Sequence, residues 1–470
     1  MLDTVRSPTG RHDFHIVAIR DIRCGRIWSI LSAGVKSASD PAAGYREPVL
    51  LRLWSARTVA AAGSRSHRNL LFLIMAFQNR RVWLPMGIAF NLALLAFFKY
   101  KFLFVDPTSP ASSGIAPIDF LLKLPLPIGI SFFVFHNISL LVDLTKAKAV
   151  RPDLTSVFLY IIFFPQLVSG PITRAEMFMP QIKPKYLVDI PFVEAAKWIL
   201  TGYFFKLYVA NNLNTMTSYM DFPFYETVRG SDRWLLVLLY SYQIYADFFG
   251  YSSIAIGLAL LFGYRLPVNF NLPYIARSFA DFWTCWHISL STWLRTYLYI
   301  PLGGSRLGLA RTYFNLMIVM GLGGLWHGAA LSYLAWGLLH GFLLVIERPF
   351  LFFLDGLSSN RMLGRAVIAF RMLFVFTCVS LAWVLFKLPN LDHALSFFGG
   401  MFTDHPVVDH IRIYRSLALI YALPVILQHL MPRDWFGTFR QGLEPYLYGL
   451  MAVLTFVEAG PETTFIYFQF

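Results

Sequence analysis

The stretch Met320–Gly341, MGLGGLWHGAALSYLAWGLLHG, decides how this chain is read, because it sets histidines inside an apolar run where a bilayer makes them costly. The run begins near Tyr313 and goes on to about Ile346, ahead of Glu347 and Arg348. Around His327 lie Gly321, Gly323, Gly324, Leu325, Trp326, Gly328 and Ala329, with no acid among them. A titratable group in such a place faces a bundle interior or a wet cavity, and is a functional candidate. The glycines beside it let another helix or a substrate come close to the backbone. The alternative is a packed imidazole bonded to a carbonyl of a neighbouring helix.

Composition points the same way. Of the 470 residues, 57% are hydrophobic and 14% are charged, against roughly 25% charged in a soluble domain. The 45 phenylalanines, 23 tyrosines and 12 tryptophans suit lipid-facing surfaces and interfacial belts. The chain therefore reads as an all-α polytopic membrane protein, since its apolar runs are long and lack the alternation of a barrel strand. A net charge of +14 raises the question of nucleic acid. The basic residues mostly fall between apolar runs, however, which fits the positive-inside bias and anionic headgroups instead. Three scattered cysteines, Cys24, Cys285 and Cys378, form neither a disulfide framework nor a metal-binding spacing. No metal is expected.

Two regions follow from the pattern. Segment 1–68 is basic and has no run long enough to cross; it reads as a disordered or interfacial arm, or as a mis-translated start. Residues 69–470 form the membrane domain. Apolar runs at 82–98, 124–142, 193–213, 234–262, 313–346, 366–386, 417–427 and 446–457 lead to roughly nine to eleven embedded helices at ~20 residues per crossing. The short run 157–168 ends in Ser169-Gly170-Pro171 and suits a re-entrant or broken helix. Lys197 and Lys206 lie inside one span; Gln243 and Asp247 lie inside another and are expected to face a cavity. Segment 265–304 reads as an amphipathic or re-entrant helix. On it Trp283, Trp286, Leu290 and Trp293 share one stripe, and His287 and Ser291 share another face. Packing or an interfacial belt explains that stripe more simply than a ligand box does.

Several motifs resemble those of the membrane-bound O-acyltransferase family. Phe164-Pro165-Gln166-Leu167-Val168-Ser169-Gly170-Pro171-Ile172 with Phe178-Met179-Pro180-Gln181 is similar to one family signature. Trp286-His287-Ile288-Ser289-Leu290-Ser291-Thr292-Trp293-Leu294-Arg295 with Tyr297-Leu298-Tyr299-Ile300-Pro301-Leu302-Gly303-Gly304 resembles another. Gly323-Gly324-Leu325-Trp326-His327-Gly328-Ala329 resembles the segment that carries the family's central histidine. Weaker matches are Phe98-Lys99-Tyr100, Pro127 to Phe133, Gln243-Ile244-Tyr245 and Asn269-Phe270-Asn271. The closing Phe465-Ile466-Tyr467-Phe468-Gln469-Phe470 tilts the resemblance to the alginate O-acetyltransferase-like branch. The chain departs from the family pattern at Thr284, Cys285, Thr296, Phe249 and Ser253.

The resemblance implies a bundle with re-entrant segments around a central channel, in the bacterial cytoplasmic (inner) membrane. It implies acetyl transfer from acetyl-CoA or another cytoplasmic acyl thioester to hydroxyls of an exported polysaccharide, with periplasmic acetyltransferase partner proteins and no bound cofactor. Acyl transfer needs a base for the hydroxyl proton, donors for the oxyanion and exclusion of water. A neutral imidazole in a low-dielectric passage meets the first need. His327 is the expected base and His287 the second catalytic candidate, with a bond to Ser291 or a nearby carbonyl as the latter's alternative. Trp286, Ser291, Trp293, Arg295, Asp247, Gln243 and Trp326 are donor- or acceptor-binding candidates. For Arg295, contact with lipid headgroups is the alternative. Cys285 as an acyl-carrying nucleophile is a further option, and His136, His340 and His429 are expected to be structural. Two other functions compete: a polysaccharide or lipid transporter with a proton path, and an inactive scaffold for a periplasmic acetylation complex.

Overall fold

The computed structural model describes residues 69, 71–101, 129–146, 152–167, 170–356, 361–403, 414–430, 436–463 and 465. The arm 1–68 lies outside them, as do the first residues of the expected span at 124–142 and all of the closing hexapeptide but Phe465. Every regular element among the described residues is helical. In chain order the main helices are α1 (Arg80–Tyr100), α2 (Ile130–Lys146), α3 (Leu154–Ile162), α4 (Phe192–Tyr203), α5 (Asn211–Thr217), α6 (Gly230–Leu261) and α7 (Phe279–Cys285). They continue with α8 (Ile288–Leu294), α9 (Leu309–His327), α10 (Leu331–Gly356), α11 (Arg361–Lys387), α12 (Leu391–Gly399), α13 (Tyr414–Leu430) and α14 (Phe436–Val457).

Three helices among the described residues are long and apolar enough to cross a membrane: α1, α6 and the part of α11 from Gly364 to Lys387. Of α6's apolar window 72% is buried, against 22% and 33% for the other two, so α6 is the central post and they present most of their surface outward. Inside the post, polar side chains four residues apart share a face and take partners from one neighbour. Gln243 donates to Asn214 Oδ1 at 2.8 Å and accepts from Thr217 Oγ1. Asp247 lies 2.6 Å from Lys206 Nζ in an ion pair, and Lys206 also donates to Thr463 Oγ1 at 3.1 Å. The partner helices α4 and α5 are joined without a break by a π turn over Phe204–Ala210. That wider turn changes the helical phase, so that Lys206 faces α6. The other lysine of this span, Lys197, pairs with Glu444 at 2.7 Å.

The apolar run 313–346 is two helices, not one. α9 ends at His327, the chain turns through Gly328–Ala330, and α10 returns against α9. The hairpin closes at its glycines. A Cβ on Gly324 would lie 2.2 Å from the Tyr333 carbonyl oxygen, and one on Gly337 would lie 2.2 Å from that of Met320. Backbone this close tolerates no side chain. Gly324→Val is accordingly expected to separate α9 from α10 and sharply reduce the yield of folded protein, measured by monodispersity and thermal unfolding in detergent. A variant as stable as wild type would contradict this packing.

The expected stripe on 283–293 is also divided. The chain breaks between α7 and α8 at Trp286 and His287, so Trp286 joins a core with Tyr245, Phe270, Phe282 and Trp383, while Leu290 and Trp293 join Phe135 and Trp326. A single helical wheel over this segment fails because His287 adopts φ 43°, which no helix continues through. The short run at 157–168 is broken too: α3 stops before Phe163 and a separate turn covers Phe164–Leu167.

Candidate active site

His327 is the last residue of α9 and is buried. A helix leaves its last four carbonyls without intrahelical donors. Two of those before His327 are met by the end of α1: Tyr100 Oη donates to the Leu325 carbonyl at 2.7 Å, and Lys99 Nζ donates to that of Trp326. A cation at the negative end of the helix dipole adds to this cap. The same ammonium lies 5.6 Å from the centre of the Trp326 ring. The Phe98-Lys99-Tyr100 motif thus fixes the end of the helix that presents His327.

Aromatic rings hold the imidazole itself. Trp336 stands edge-on to it at 5.2 Å and Phe386 at 5.1 Å. Trp326 meets both histidines, 4.9 Å from His327 and 6.2 Å from His287 by ring centre. Trp326 in turn stacks on Phe135 at 5.2 Å, whose other face takes Trp293 at 3.8 Å. Trp293 Nε1 donates to the Phe135 carbonyl at 3.2 Å. Lys99, through the Trp326 carbonyl, and both histidines, through the Trp326 ring, meet on this one residue.

His287 sits at the N-terminus of α8, fully buried, with Phe248 edge-on at 4.6 Å. Its carbonyl accepts from Ser291 N at 3.0 Å. Phe465, from the chain end, packs against Phe248 and Tyr251 and closes this side. The Gly170-Pro171-Ile172 turn reaches the same place, where Ile172 N donates to Ser289 Oγ at 2.9 Å.

The structure brings His327 and His287 against Trp326 and joins Trp293 to it through Phe135, and it gives the other candidates different neighbours. Trp286 is a core ring between Phe282 and Trp383. Ser291 Oγ donates to the Trp286 carbonyl at 3.3 Å, so its hydroxyl serves its own helix start and not His287. Arg295 is exposed at the start of a π turn. Gln243 and Asp247 have the α5 and Lys206 partners described above. Cys285 is half-buried, with Asp281 Oδ1 at 3.9 Å. His136 stands edge-on to Tyr160, His340 packs with Trp283 and Trp336, and His429 Nδ1 lies 2.8 Å from the Val425 carbonyl. At the departures from the family pattern, Phe249 packs between Tyr245 and Phe205, and Ser253 Oγ donates to the Phe249 carbonyl at 2.7 Å.

Sequence reasoning named no role for Lys99, Tyr100, Phe135 or Trp336. The Phe98-Lys99-Tyr100 motif carried the only signal, a lysine and a tyrosine ending an apolar helix, and nothing in it indicates which helix they cap.

An all-helical membrane bundle with two buried histidines about one tryptophan defines a class, and comparison with known proteins names it. Residues 67–387 match the model of MBOAT, the membrane-bound O-acyltransferase family. The chain belongs to that family, and with it to the acyltransferases. It is 37% identical over 357 residues to the probable alginate O-acetylase AlgI of Pseudomonas putida, covering 75% of this chain and 69% of that protein. It is 35% identical to the peptidoglycan O-acetyltransferase of Helicobacter pylori, over 68% of this chain and 65% of the relative. It is 30% identical to the teichoic acid D-alanyltransferase of Bacillus subtilis, over 46% and 58% respectively. The chain thus spans between 58% and 69% of the length of these relatives.

Proposed function

We propose that this chain is a polysaccharide O-acetyltransferase of the bacterial cytoplasmic membrane. It crosses that membrane many times, with roughly nine to eleven embedded helices and re-entrant segments around a central channel. It moves acetyl from a cytoplasmic thioester, acetyl-CoA or a similar donor, to hydroxyls of an exported, alginate-like polymer, and it works with periplasmic acetyltransferase partners. The relatives' names support the reaction class, and the arrangement of His327, Trp326 and His287 supports the residues.

In this reading His327 takes the proton of a sugar hydroxyl as its oxygen bonds to the thioester carbonyl carbon. The carbon–sulfur bond then breaks, and the departing thiolate recovers the proton from the imidazolium. His287, across Trp326, orients the donor or steadies the charge on His327. The aromatic wall of Trp326, Trp336 and Phe386 keeps water from the thioester.

The test is to incubate membranes containing the chain with labelled acetyl-CoA and the polymer exported by its own host, and to measure base-labile ester on the polymer. Ester that appears only with the chain present supports the proposal. No ester from correctly folded protein, with its periplasmic partners added, would favour the scaffold or transporter reading.

A further inference from the structure

We propose that Asn269 is a positioning residue for His287; the inference rests on His287 belonging to the transfer site. His287 is one of two non-glycine residues with positive φ among the described residues. A backbone in that region persists only where its surroundings over-determine it. Asn269 bonds the two residues that follow His287. Its backbone carbonyl accepts from Ile288 N at 3.0 Å, directly after the strained residue. Its Oδ1 accepts from Ser289 Oγ at 2.6 Å and from Ser289 N at 3.3 Å. Its Nδ2 donates to Ser252 Oγ at 3.0 Å, which ties the assembly to the central post α6. Two residues on, Asn271 N donates to the Cys285 carbonyl at 3.0 Å, so the segment 269–271 clasps the chain on both sides of His287.

This clasp is not packing in general. Asn269 and Ser289 are buried polar groups whose bonds satisfy one another, and Ser289 passes the constraint to Ile172 of the Gly-Pro turn. Three motifs far apart in the chain therefore meet on one amide, and the residue they fix is an imidazole beside Trp326. The side-chain bonds of Asn269 go to Ser289 and Ser252, so its effect on the reaction passes through the turn at His287.

Two substitutions separate positioning from packing. Asn269→Asp keeps an acceptor for both Ser289 donors, and the Ser252 hydroxyl can turn to donate to the second carboxylate oxygen. Asn269→Leu keeps the volume and removes every side-chain bond. Positioning predicts that Asn269→Leu lowers turnover about 10–100-fold with the donor KM unchanged, while Asn269→Asp recovers to within a few-fold of wild type. A packing role predicts the reverse order, because a buried carboxylate is costlier than a leucine. Ser289→Ala, which removes the larger part of the same contact, is expected to follow Asn269→Leu and stands in for it if the leucine variant does not fold. All are compared per folded molecule with His287→Ala. Wild-type protein that makes no ester overturns the functional reading itself. Wild-type activity lost in His287→Ala but kept in both Asn269→Leu and Ser289→Ala overturns the inference alone.

Discussion

Replacing His327 with alanine is expected to lower ester formation about 10²–10⁴-fold, the usual worth of a positioned general base. The substitution leaves the backbone of α9 in place, because the carbonyls of Leu325 and Trp326 keep their donors from Tyr100 and Lys99. It removes the ring that meets Trp336 and Phe386, and so also costs some packing. A suitable comparison is His429→Ala, which deletes an imidazole of similar burial packed against Tyr245 and Tyr274. Both variants lose stability, but only His327→Ala is expected to lose turnover per folded molecule. Initial rates of label transfer, normalised to monodisperse protein, make the comparison. Equal rates in the two variants would remove the base assignment.

The second large effect is on stability. Asp247→Ala leaves the Lys206 ammonium inside the bundle without its acid, and breaking a buried pair from one side costs about 3–5 kcal/mol. Both side chains are nearly inaccessible, 8% and 5% exposed, so solvent does little to screen the loss. Replacing both, with Lys206→Met and Asp247→Leu together, is expected to restore most of the stability, since apolar isosteres of a buried ion pair are often neutral. Thermal unfolding in a single detergent measures all three. The double variant also tests Asp247 as a binding residue: restored stability with lost donor affinity would keep it in the site, whereas restored activity assigns it to the fold. A single variant as stable as wild type would contradict the pair.

Some of this was legible in the chain and some was not. The burial of His327 could be anticipated, because an ionisable side chain among glycines in a membrane run has nowhere else to go; His287 was read on an amphipathic or re-entrant helix, and its full burial comes from the fold. Asp247 was expected to face a cavity; it is buried in an ion pair, and its partner Lys206 lies forty-one residues earlier on a helix whose phase depends on a π turn. No periodicity reports such a turn. The tryptophan stripe was read as a continuous wheel, and it failed at His287, where the backbone turns to positive φ with no glycine or proline between Trp283 and Trp293 to signal it.

By itself the sequence determined the solvent in which this protein folds, the class of its elements and two histidines as candidates for a transfer site. Those follow from composition and local pattern, which act through the side chains of neighbouring residues. Only the tertiary structure decided that Lys99 and Tyr100 cap the helix of His327, that Phe135 joins Trp293 to Trp326, and that Asn269 clasps His287. Each of those contacts joins residues on different elements, and the orientation of one helix against another is fixed by packing across the whole bundle.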